Sequence, residues 1–160
     1  MILDALVSAA LDPAPIPEPT VAAAGVVPGE REPRPSRAQV ARTTAAIPPA
    51  GWVDFAACVE DRESHGIPTV VNGSGHAGLF QFSRNWAHGL PYVVQRALVA
   101  AGMPVKEARA IRKTLAAKPI HRWPAIYQRI GFAQVIREGG RAAAFRHWGL
   151  NGSRCNGLAG

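Results

Sequence analysis

The sequence is poor in several kinds of residue, and each shortage excludes a class of function. It has two cysteines among 160 residues. Its five histidines are scattered, without the Cys/His spacing that is typical of a zinc site. It contains no glycine-rich phosphate-binding loop and no internal repeat. We therefore expect no metal and no cofactor.

The first residues lack basic side chains. No Lys or Arg precedes Arg31, and Asp4 interrupts the apolar start, so the segment is unlike a signal peptide. The apolar stretch Met1–Leu11 is also too short to cross a membrane. We predict a short docking helix there, with a disordered terminus as the alternative, and no membrane span.

Acidic residues are scarce in the second part of the chain. Residues 51–160 contain fourteen Lys and Arg against six Asp and Glu. A basic domain suits a polyanionic partner, such as a nucleic acid or a cell wall that carries carboxylates and phosphates. Because no nucleic-acid-binding motif accompanies the charge, we expect no nucleic-acid partner.

The composition changes near Gly51. Before it, Asp12–Ala50 is rich in proline and alanine, which is typical of an extended linker without a packed core. After it, the composition is that of a globular domain. We predict a short helix and a Pro/Ala-rich tether over residues 1–50, and one domain over residues 51–160.

The domain is predicted to be mostly helical, of the α+β class, with at most a small hairpin. Apolar stripes and glycine or proline boundaries mark the helices. The predicted helices are Trp52–Ser64, Pro91–Gly102, Val105–Ala117, Ala125–Glu138 and Ala142–Trp148. The segment Leu79–Phe82 fits either a short strand or a helical turn, because alternation over so few residues does not distinguish them.

The first predicted helix carries a carboxylate on its apolar side. Trp52, Phe55, Ala56 and Val59 have the spacing of one helical face, and Glu63 is the next member of that stripe. A helix that buries this stripe brings Glu63 toward the core or a cleft. A desolvated carboxyl group keeps its proton more readily than a solvated one, as a general acid requires. A solvated glutamate at a frayed helix end is the alternative.

Two short motifs lie on either side of a polar loop. The first is E-S-x-G at positions 63–66, and the second is G-L-F-Q at positions 78–81, after a loop with Asn72 and Ser74. This order resembles the catalytic signature of lytic transglycosylases and related goose-type lysozyme-like domains. The resemblance, over roughly Trp52–Cys155, implies a lysozyme-like fold. It also implies cleavage of the β-1,4 bond between N-acetylmuramic acid and N-acetylglucosamine in peptidoglycan.

The resemblance assigns the catalytic role to Glu63. In transglycosylases one glutamate protonates the glycosidic oxygen and then accepts a proton from the muramoyl C6 hydroxyl, which closes a 1,6-anhydro ring. A hydrolase usually needs a second carboxylate, for which Glu60 and Asp61 are candidates. The few acids of the domain favour the single-glutamate mechanism. Muramidase-type hydrolysis and an inactive structural or wall-binding protein remain as alternatives.

Four further residues receive roles from the same resemblance. Gln81 is expected to hydrogen-bond the sugar in the glycan groove. Ser64 is expected to position the carboxylate or the substrate, or to be an ordinary serine at a helix end. Asn72 and Ser74 are expected to rim the cleft, or only to form its turn.

Aromatic residues complete the predicted site. Trp86 is a candidate platform for a sugar face, with burial in the core as the alternative. The family also places a tyrosine from a later helix against its catalytic glutamate. Tyr127 is the candidate here, and Tyr92 is the alternative.

The two cysteines, Cys58 and Cys155, lie near the two ends of the predicted domain. A bond between them would close almost the whole domain into one loop, whereas two buried free thiols are the alternative. Resuscitation-promoting factors, which are cell-wall glycosidases, join a similar pair of cysteines. We predict the disulfide, which suits an extracellular protein or a virion.

The missing signal peptide and the predicted disulfide together favour a bacteriophage virion protein. In this interpretation the N-terminal arm tethers the domain to other tail proteins, and the domain acts on peptidoglycan glycan strands. An extracellular or cell-wall location is the alternative.

Overall fold

Five α-helices account for most of residues 34–149 and 154–160, the part of the chain that the computed structural model describes. They are α1 Arg37–Ala46, α2 Val53–Ser64, α3 Trp86–Ala100, α4 Val105–Ala116 and α5 Ala125–Trp148. Two short 3-10 turns cover Ile120–Arg122 and Asn156–Leu158. The mostly helical fold is confirmed. In the described ranges, β structure is limited to two isolated bridges, Val71 with Ala77 and Ala77 with Phe82.

Helix α1 lies where we predicted an extended linker, so the prediction is wrong for Arg37–Ala46. The helix begins with a capping box, in which Ser36 Oγ accepts from the Gln39 backbone N–H and Gln39 Oε1 accepts from the Ser36 N–H. Ala41 and Ala45 are buried, and α1 contacts both α3 and α5. The proline-rich composition of the surrounding chain hid these local signals. The predicted N-terminal helix and the first part of the arm lie outside the described residues.

One other helix boundary differs clearly from prediction. Helix α3 begins at Trp86, five residues before Pro91, and the proline lies inside it. Pro91 has no N–H for a helical hydrogen bond, and it is buried with the apolar face of α3. The predicted break at the glycine pair is confirmed: Gly140 has φ of +48° and ψ of −138°, which are not helical, so α5 consists of two helical segments that meet at a kink there.

The core forms around α5. Phe132 stacks on Phe80 with ring centroids 4.1 Å apart, and it packs against Trp148 at 4.6 Å and Phe55 at 6.1 Å. These side chains come from α2, α5 and the turn after residue 77, so burial of apolar surface brings α2, whose last turn begins the first motif, and the turn of the second motif to one core.

A disulfide joins Cys58 on α2 to Cys155 near the C-terminal end, with Cα atoms 5.7 Å apart. The predicted pairing is therefore confirmed. No helix within the described ranges has both the length and the apolar character needed to cross a membrane.

Candidate functional site

The second motif forms a tight turn. Ala77 and Phe82 exchange two backbone hydrogen bonds of 3.0 Å, so the residues between them reverse the chain. Leu79 and Phe80 are buried on the core side of this turn. Gln81 has φ of +47°, a left-handed conformation that is uncommon outside glycine. The segment is neither of the predicted alternatives, a strand or a helical turn: it is a chain reversal closed by the antiparallel bridge between Ala77 and Phe82.

Gln128 holds this turn in place, and sequence reasoning missed it. Its side chain is fully buried, and its Oε1 accepts a 2.7 Å hydrogen bond from the Leu79 backbone N–H. Its Nε2 lies 3.0–3.2 Å from three carbonyl oxygens, those of Pro68, Ile120 and Trp123, so one of its two N–H groups is shared between two acceptors. Its position in the sequence could have indicated its burial, because Gln128 lies four residues before buried Phe132 and therefore on the same face of α5.

Gln81 lines a polar pocket of about 150 Å³. Its Nε2 donates to the carbonyl of Gly78 at 2.9 Å and to that of Val70 at 3.3 Å. Its Oε1 is buried and has no hydrogen-bond partner among the described residues. We call this cavity the Gln81 pocket; it is lined by His76, Gln81, Phe82, Ser83, Trp86, Arg146, His147 and Trp148.

Trp86 also lines the Gln81 pocket, so two of the predicted substrate-binding residues lie together. Its ring is partly exposed, and it meets His147 edge to face at 4.9 Å and Phe82 at 5.9 Å. Burial lowers the pKa of His147, and the neighbouring Arg146 charge lowers it further. An aromatic face therefore stands beside polar and cationic groups.

Glu63 lies on the last turn of α2, which ends at His65 in a left-handed conformation. Its side chain is 25% exposed, and its Oε1 accepts hydrogen bonds from Nε and Nη2 of Arg62. The same Nη2 donates to the Trp148 carbonyl at 2.8 Å. Because Trp148 lines the Gln81 pocket, Arg62 connects the candidate acid to the edge of that pocket. Glu63 itself does not line it.

The candidate second carboxylates are both paired with arginines. Glu60 accepts two hydrogen bonds from Arg129, of 2.6 and 3.0 Å. Asp61 is bonded to Arg154 and lies 3.7 Å from Nδ1 of His65. Each carboxylate is therefore directed at a different surface cation.

The remaining polar candidates form local hydrogen bonds. Ser64 is buried, and its hydroxyl donates to the Glu60 carbonyl within α2. Asn72 Oδ1 accepts from the backbone N–H groups of Ser74 and His76, both at 3.0 Å. These contacts match the interpretation in which Asn72 shapes the turn, and they orient the loop that carries His76 into the pocket.

Neither candidate tyrosine lines the Gln81 pocket. Tyr127 borders a separate cavity of about 250 Å³ between α4 and the start of α5. Tyr92 is 52% exposed, and the Arg112 guanidinium lies 4.5 Å from its ring centroid. The sequence therefore did not indicate that both tyrosines lie away from the Gln81 pocket.

Within residues 34–149 and 154–160, no group of three or more His, Cys, Asp and Glu side chains is placed to hold a metal ion. Comparison with protein-family models, with curated proteins and with solved structures gives no match.

Proposed function

We propose that this protein cleaves the glycan strands of peptidoglycan, as a lytic transglycosylase with Glu63 as its acid and base. The observation that carries the proposal is the contact between Glu63, Arg62 and the carbonyl of Trp148. It links the candidate acid to the pocket that contains Gln81 and Trp86. A polar pocket with an aromatic wall suits a sugar substrate, and Arg62 connects the candidate acid to one residue of that wall, Trp148.

The proposed reaction uses one carboxyl group twice. Glu63 donates its proton to the glycosidic oxygen as the bond from that oxygen to C1 of the muramoyl ring breaks. The carboxylate then takes the proton of the C6 hydroxyl while O6 bonds to C1, which closes the 1,6-anhydro ring and restores the acid. Oε1 is engaged by Arg62, which leaves Oε2, without a hydrogen-bond partner among the described residues, as the oxygen proposed to exchange the proton with the substrate.

Hydrolysis is the alternative. It needs a second carboxylate, either to activate water or to act as nucleophile. The ion pairs of Glu60 with Arg129 and of Asp61 with Arg154 engage the two nearest candidates. These pairs favour transglycosylation over hydrolysis. A catalytically inactive wall-binding protein would use the same pocket without needing Glu63.

The location is part of the proposal. A disulfide persists in oxidising surroundings, which suits a protein that works outside the cytoplasm. We propose a phage virion tail, where the N-terminal segment would attach the domain to other tail proteins. An extracellular or cell-wall location is the alternative.

The test is digestion of purified peptidoglycan by the wild type and by Glu63→Gln, with products identified by mass spectrometry. Because amide and carboxylate have nearly the same shape, the substitution removes the transferable proton and leaves the fold. We expect 1,6-anhydromuramoyl ends from the wild type and a rate lower by about 1,000-fold in the variant.

A matched control is Glu107→Gln, which changes an exposed acid on α4 and should leave the rate unchanged. Reducing muramoyl ends would replace the transglycosylase proposal with hydrolysis. Absence of cleavage by the folded wild type would leave the wall-binding alternative. Equal cleavage by wild type and Glu63→Gln would contradict the role of Glu63.

A further inference from the structure

We propose that the Gln81 pocket binds the acidic part of its ligand, a carboxylate attached to a 2-acetamido sugar, through Arg146 and His147. The inference rests on the proposed function, because it specifies which sugar of a peptidoglycan strand occupies this pocket. It predicts discrimination between N-acetylmuramic acid, which carries a carboxylate, and neutral N-acetylglucosamine.

The first reason is an unpaired acceptor in a rigid side chain. Gln81 is only 7% exposed, and two hydrogen bonds from its Nε2 fix the amide. Its Oε1 and the Nδ1 of His76 are both buried without partners among the described residues. A buried polar atom without a partner costs about 1–3 kcal/mol, so a ligand that supplies N–H or O–H donors gains by pairing it.

The second reason is the charge at the pocket. None of its eight lining residues is acidic, and Arg146 is exposed with no ion-pair partner within the described ranges. His147 stands beside it and can donate a ring N–H even when neutral. A pocket that has a cation and hydrogen-bond donors but no carboxylate of its own favours a ligand with an anionic group over one with a neutral hydroxyl.

The third reason is the size and wall of the pocket. About 150 Å³ corresponds to about five water molecules, which is room for a substituent and part of one ring. The partly exposed Trp86 ring offers an apolar surface to the C–H face of a sugar. A ligand with an amide donor, a carboxylate and an apolar ring face satisfies these features together.

The experiment measures binding without turnover. NMR titrations of the Glu63→Gln protein with N-acetylmuramic acid and with N-acetylglucosamine compare the two sugars on the full chain. We expect tighter binding of the acidic sugar, and shifts at the indole N–H of Trp86. Adding Arg146→Gln should weaken binding of the acidic sugar by about tenfold and leave the neutral sugar unchanged.

Arg109→Gln is the matched control, because it removes an exposed cation of α4 that does not line the pocket. Circular dichroism checks that each variant is folded. Equal affinity for both sugars, or equal loss with Arg109→Gln and Arg146→Gln, would overturn the inference. Discrimination in binding without any glycan cleavage by the wild type would instead contradict the proposed function and leave this site standing.

Discussion

Gly78→Ala is expected to lower the free energy of unfolding by at least about 3 kcal/mol. A Cβ at this position would lie 2.1 Å from Oε1 and 2.9 Å from Cδ of Gln128, neither of which can move without breaking hydrogen bonds. The backbone also has φ of +81°, which an alanine adopts at a cost of about 1–2 kcal/mol. Both effects act on the turn that presents Gln81.

Chemical denaturation of the variant and the wild type measures this loss. The matched control is Gly73→Ala in the preceding loop, where an added Cβ meets nothing within 4 Å and φ is not positive. We expect the control to change stability by less than about 0.5 kcal/mol. Similar losses from both substitutions would contradict the packing of Gly78 against Gln128.

A second background separates the two causes of this loss. In a Gln128→Ala protein the atoms that clash are gone, so Gly78→Ala should cost only the conformational part, about 1–2 kcal/mol. The difference between the two backgrounds gives the coupling between residues 78 and 128. An unchanged cost would assign the whole effect to the backbone conformation.

Removing the disulfide is expected to cost about 4–5 kcal/mol in the chain-entropy description. The cysteines are 97 residues apart in sequence, so their bond restricts nearly the whole unfolded domain. A domain of this size is typically stable by about 5–15 kcal/mol, so the loss leaves little margin. The bond also fixes the C-terminal segment to α2, the helix that carries Glu63.

The measurement is thermal and chemical unfolding of Cys58→Ser/Cys155→Ser beside the wild type, each with and without a reducing agent. The wild type under reducing conditions should approach the variant, and the variant should not respond to the reductant. A wild type as stable when reduced as when oxidised would show that the bond adds nothing to folding.

Local patterns in the sequence determined the helices whose signals lie within one or two turns. The stripe from Trp52 to Val59 predicted α2 and placed Glu63 on its last turn, and the structure has the helix from Val53 to Ser64. Prolines and glycines predicted α4 to within one residue. Such signals are readable because a helix repeats every 3.6 residues and its caps act within four.

The composition of a long stretch gave a wrong prediction where a short local motif indicated a different structure. The alanine-rich α1 lies inside a proline-rich stretch, and its Ser36–Gln39 capping box is only four residues long. Proline at a first helical position predicted a start at Pro91, whereas α3 begins at Trp86, after turn hydrogen bonds from the N–H groups of Trp86 and Ala87 to the carbonyls of Ser83 and Arg84. For α1, burial of Ala41 and Ala45 favours the helix. In α3, Ala87, His88 and Gly89 are exposed, so burial does not account for its early start.

The pocket itself came only from the tertiary structure. Gln81 and Trp86 were candidates from the sequence, but their proximity to Arg146 and His147 depends on α5 returning past the turn at residues 77–82. Gln128 is buried for the same reason, since its hydrogen bonds reach Leu79 and Pro68, which are 49 and 60 residues away, as well as the nearby Ile120 and Trp123. Contacts between residues 40 to 70 positions apart leave no periodic trace in a single sequence, because they follow from how the helices pack and not from any one of them.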